Sequence, residues 1–213
     1  MKTDDLISML ATGDSSVSGP NAGQRYARAG GLGAVGAALL MLVLLQLRHD
    51  FLPALWLPMF WVKIGFAASL AGASLFAVLR LSRPGASLGG VPLLLALPVL
   101  GIWAIAAYAL INADPGERSR LFFGDTWAVC PFLIALLSLP VYLATFRVMQ
   151  DMAPTRPRLA GFAAGLLSGA IAATVYCLHC PEMGAPFVGF WYLLGILIPA
   201  MMGAWQGNSR LRW

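Results

Sequence analysis

Cys130, Cys177 and Cys180 are the only thiols in this chain of 213 residues, and His179 and Glu182 stand beside the last of them. A thiolate is both a nucleophile and a soft metal ligand, so the group opens two chemistries. Cys130 could bond to Cys180 or to Cys177 as a disulfide, provided the Cα atoms come within about 7 Å. Alternatively, thiolates with His179 could take a soft or borderline cation such as Zn²⁺ or Cd²⁺. Cys177 and Cys180 are spaced i, i+3, which places them on neighbouring positions of one face if the helix continues. Beside one disulfide, a third thiol could exchange with it. The Cys-x-x-Cys spacing suits redox or metal chemistry, but the second pair of a typical zinc site is missing. A single cysteine in an apolar span is ordinarily a small buried hydrophobe. Three at one membrane face, next to a histidine, weigh towards function.

The elements that must position these thiols are membrane helices. With 59% apolar residues, 11% charged and a mean hydropathy of +0.77, the chain has too little polar surface to cover a soluble globule. Crossing hydrocarbon takes about 20 apolar residues. Six runs qualify, at residues 29–47, 59–79, 91–112, 127–146, 159–178 and 186–205. Short turns rich in Pro, Gly and Asp separate them. The expected fold is all-α: a polytopic membrane protein with a six-helix domain at residues 29–205, an amino-terminal segment at 1–28 and a tail at 206–213. A cleaved signal peptide is not expected, because polar residues fill the first 28 positions and no small-residue cleavage motif follows the first run.

Lysine and arginine are retained in the cytoplasm when helices insert. Of the 14 such residues, Arg48, Arg118 and Arg120 fall on one side and Lys63 inside the second span, while all the others lie on the side of the termini. Both termini are therefore expected in the cytoplasm and the thiols outside it, in an oxidising compartment where disulfides persist. The net charge of +5 follows from this topology, and no direct nucleic-acid partner is needed to explain it. Lys63 is close enough to the outer end of its span to snorkel to the headgroups. Gly161, Gly165 and Gly169 recur every four residues and predict a close helix neighbour. Trp56, Trp61 and Trp127 mark the outer boundary, Trp205 and Trp213 the inner one, and Trp103 and Trp191 are expected to fill the core. With only His49 and His179 there is no metalloprotease pair, and no nucleotide loop or intramembrane acid pair exists. No enzyme activity and no resident cofactor are expected, beyond transient heavy-metal binding at the cysteines.

In the amino-terminal segment, Asp4 and Asp5 precede Leu6, Ile7, Met9 and Leu10, which read as a two-turn helix. Residues 13–23 form a flexible tether behind it. Such a helix is too short to hold alone in water and suits folding in a partner's groove.

The opening Thr3-Asp4-Asp5-Leu6-Ile7, the six spans, and the pairs Cys130-Pro131 and Cys180-Pro181 resemble the NrsF-like family of bacterial six-helix membrane anti-sigma factors. The resemblance implies a protein of the inner membrane that sequesters an extracytoplasmic-function sigma factor until stress releases it. It also implies Cys130 and Cys180 as the sensory pair and Asp4, Asp5, Leu6, Ile7, Met9 and Leu10 as the sigma-binding element; Cys177 and His179 are further candidates beside the pair from their position alone, and Cys177 is not part of the family pattern. The rival readings are a membrane thiol-disulfide oxidoreductase, for which three cysteines cannot supply two reactive pairs, and, third, a small-molecule transporter.

Overall fold

The computed structural model describes residue 8, residues 21–83 and residues 85–211. Every apolar run forms a helix: α1 (Ala22–Leu44), α3 (Pro58–Leu81), α4 (Val91–Asn112), α6 (Cys130–Asp151), α7 (Pro157–Tyr176) and α8 (Ala185–Arg210) are each long and apolar enough to cross a membrane. Two short helices lie in connections, α2 (Phe51–Ala54) and α5 (Pro115–Phe123). All the spans after α1 carry proline in the first turn. There the missing N–H is no loss and the fixed φ already suits a helix, so these starts lie close to where the apolar runs begin.

The ends differ from expectation where polar chemistry intervenes. α1 begins seven residues earlier than its apolar run, because the Asn21 side chain accepts a hydrogen bond from the Gln24 N–H at 2.9 Å and Tyr26 is buried. α8 continues to Arg210. α7 stops at Tyr176, so Cys177 to His179 lie in turns, and the expected shared helix face of Cys177 and Cys180 does not form. The connection after α4 is a helix, α5, where only a turn was expected.

α7 is the centre of the bundle: 72% of its apolar window is buried inside the protein, against 11% for α4. Its glycine stripe meets α8, and the contact leaves no room for side chains. A Cβ on Gly161 would overlap the Gly203 carbonyl, one on Gly165 the Pro199 carbonyl, and one on Gly207 the Pro157 carbonyl. Small residues on both helices thus let the backbones touch, which is how helices associate where lipid removes the hydrophobic drive. Between α6 and α7 the Thr145 and Ser168 hydroxyls are 3.0 Å apart, so one can donate to the other while the acceptor donates to a carbonyl of its own helix, Val141 for Thr145 or Ala164 for Ser168.

The core divides into two apolar clusters. One gathers Tyr26, Tyr142, Phe146 and Met149 near the start of α1 and the end of α6. There Arg25 pairs with Asp151, and the Tyr26 hydroxyl lies 3.0 Å from Ser82 Oγ and donates to Met149 Sδ at 3.3 Å. The other cluster contains all three cysteines. Neither tryptophan expected in the core is simple filler. Trp103 is 51% exposed and donates to the Gly189 carbonyl, and Trp191 donates to the Phe122 carbonyl, so both tie neighbouring elements to α8.

Candidate functional site

Cys130 is the first residue of α6, and its N–H closes on the Thr126 carbonyl at 3.0 Å. Cys177 and Cys180 follow the end of α7, their N–H groups bonding back to Ala173 and Tyr176, both at 3.0 Å. All three cysteines are unbridged and 0% exposed. Tyr176 interacts with Cys130 and Cys180, and Tyr192 with Cys177 and Cys180, so two phenols close the thiol cluster. Tyr192 sits on a widened turn of α8, Val188–Tyr192, of the kind that recurs at functional sites. Its hydroxyl is buried against the thiols of Cys177 and Cys180.

Lys63 overturns the expectation of snorkelling. It is 0% exposed, and its Nζ donates to the Cys180 carbonyl at 2.9 Å and to the Glu182 carbonyl at 3.1 Å, with the Tyr192 ring centroid 5.8 Å away. The lysine turns inward because the stretch after α7 folds over α3 and offers it main-chain acceptors. Arg48 reaches the same carbonyl of Cys180 at 3.4 Å, while its Nε and Nη2 grip the two oxygens of Asp50 at 2.7 and 2.6 Å. That hydrogen bonding holds the Asp50 carboxyl below its ordinary value. Two cations therefore converge on the backbone of one cysteine.

The residues beside the thiols are otherwise engaged. His179 Nδ1 lies 2.9 Å from the Gln46 carbonyl. Glu182, read from sequence as a solvated loop charge, accepts from the Asp125 N–H at 2.8 Å and from the Thr126 hydroxyl at 3.3 Å. Its carboxylate thus bridges the α7–α8 connection to the residues preceding α6. Among the described residues no three or more His, Cys, Asp or Glu side chains are placed to hold a metal ion. The candidate partner-binding residues Asp4, Asp5, Leu6, Ile7, Met9 and Leu10 lie outside the described residues.

The structure thus brings Cys130, Cys177 and Cys180 together and adds Lys63, Arg48, Tyr176 and Tyr192, which sequence reasoning did not place there. For Lys63 a signal existed: an ionisable residue within a span marks a functional position by default. Chemically, the cluster can lose two electrons to form one disulfide, but only when an opening admits the reagent.

The chain matches the NrsF family, negative regulator of sigma F, over residues 10–213. It is 70% identical over 213 residues to a probable anti-sigma-F factor NrsF of Azospira oryzae, covering 100% of both chains. To the anti-sigma-F factor NrsF of Caulobacter vibrioides it is 42% identical over 215 residues, again covering 100% of both. No solved structure matches it.

Proposed function

Because the chain belongs to the NrsF family, we propose that it is an anti-sigma factor of a bacterial inner membrane, holding an extracytoplasmic-function sigma factor inactive until its thiols react. Both termini face the cytoplasm in this reading, and the residues around Asp4, Asp5, Leu6, Ile7, Met9 and Leu10 bind the sigma factor. The thiol cluster at the opposite end is the input. On oxidation Cys130 and Cys180 yield two electrons and two protons to the oxidant and form one disulfide. A soft cation such as Cd²⁺ instead displaces protons from thiols that rearrange to meet it.

The observation that supports this reading most is the path of α6. Cys130 is its first residue, and Asp151, its last, pairs with Arg25 on the first turn of α1. At 1.5 Å per residue, 22 residues span about 33 Å. One continuous helix, with Pro140 in its interior, thus joins the thiols to the base of the segment proposed to bind the sigma factor. A hundredfold loss of sigma affinity needs about 2.7 kcal/mol of coupling, within what one disulfide contributes.

Co-purification of the sigma factor from membranes tests the reading. Wild type should lose it on treatment with oxidant or Cd²⁺, and the double variant Cys130→Ser, Cys180→Ser should keep it. Equal retention by both proteins under every condition would sink the sensing role.

A further inference from the structure

We propose that Lys63 is the positioning residue of the thiol cluster, holding the Cys180 backbone so that Cys180 bonds to Cys130 across helices and not to Cys177 beside it. The inference deepens the thiol-switch reading and rests on it.

An ammonium group removed from water is costly unless its hydrogen bonds are replaced. Here the replacements are the carbonyls of Cys180 and Glu182, together with the face of Tyr192, and no carboxylate pairs with Lys63 among the described residues. For packing alone an apolar side chain of the same length would cost less, so the cation is retained for what it holds. What it holds is the connection at residues 180–184, which lies between α7 and α8 and belongs to neither helix. The Cys180 N–H still closes on Tyr176, while its carbonyl is held by Lys63 and Arg48, and, two residues on, the Glu182 carboxylate is tied to Asp125 and Thr126. Cys177, bonded back into α7, needs no such support.

The clamp has a competition to decide. In a loose chain, closure favours partners near in sequence, so Cys180 would meet Cys177 sooner than Cys130. Fixing the backbone at Cys180 removes that advantage.

The test uses the full chain in native membranes, treated with diamide, which takes up two electrons and two protons per disulfide, and reads the pairings by mass spectrometry. Lys63→Met keeps the length and loses the cation. It should shift the ratio of Cys130–Cys180 to Cys177–Cys180 bonds about tenfold towards the neighbouring pair, the scale of a lost charged hydrogen bond. Lys63→Arg should restore the wild-type ratio, and Lys63→Gln serves as the neutral variant if the Met protein does not accumulate. An unchanged ratio at equal helicity overturns the assignment, as does an equal shift in the Arg and neutral variants. If wild type forms no disulfide at all, the oxidative input of the thiol-switch reading falls by itself. Lys63 is then judged by amide exchange at residues 180–184: about tenfold faster exchange in the neutral variant supports it, and unchanged exchange overturns it.

Discussion

At Arg48 and Asp50 an ion pair with one buried and one exposed member touches a buried backbone carbonyl. The guanidinium is buried, grips both Asp50 oxygens and still reaches the Cys180 carbonyl. Hydrogen bonding from Arg48 lowers the Asp50 value, so the stabilisation is present above the ordinary carboxylate value and is lost as pH falls through the lowered one. Protection factors at the amides of Leu178, His179, Cys180 and Glu182, taken relative to the intrinsic exchange rate at each pH, should therefore be steady at neutral pH and fall only in acid below the ordinary carboxylate range. In Asp50→Asn they should be lower already at neutral pH. Neither the direction of Arg48 nor that of Lys63 could be read from sequence, since long cationic stems reach either outward to headgroups or inward to carbonyls. What decides is whether a neighbouring stretch brings acceptors within reach.

The helices act as packed rods, and two interfaces carry testable consequences. The α7–α8 seam is built on backbone contact, so Gly165→Leu would force Pro199 away and should destabilise the protein by about 3 kcal/mol, read as lost accumulation in membranes and a lower melting temperature. The glycine period announced a close neighbour, yet five other spans were candidates, and only the structure identifies α8 and its Gly203 and Gly207. At the opposite end from the thiols, α1, α3 and α6 meet through Tyr26, Ser82, Met149 and the Arg25–Asp151 pair. If α6 transmits the signal, the double variant Tyr26→Phe, Asp151→Asn should release sigma activity in unstressed cells, on the order of fivefold. A sigma reporter at unchanged protein level checks this, and an unaltered reporter would remove α6 from the path.

At the scale of the whole molecule, six crossings and the bias of lysine and arginine lead to the proposed orientation with both termini in the cytoplasm. Alkaline phosphatase fused within α5 should be active and a fluorescent protein fused after Trp213 should fluoresce; the reverse pattern would invert the topology and place the thiols in a reducing compartment. In either orientation the thiols are withdrawn from water, so a reagent must wait for the cluster to open. Alkylation of native membranes should accordingly be slow for all three cysteines and speed up in Lys63→Met.

Local chemistry alone determined the all-helical class, the spans and most of their starts, because length, apolar composition and a leading proline act within a few residues of themselves. The gathering of three cysteines at one end was legible for the same reason: each stands at or near a span boundary on one face. The tertiary structure decided what surrounds them. Residues 180–184 fold over α3, Tyr192 is turned inward by the widened turn of α8, and Lys63 is drawn to the Cys180 carbonyl. Those outcomes depend on which helices become neighbours, and apolar spans that differ little in composition do not encode their neighbours in any local pattern.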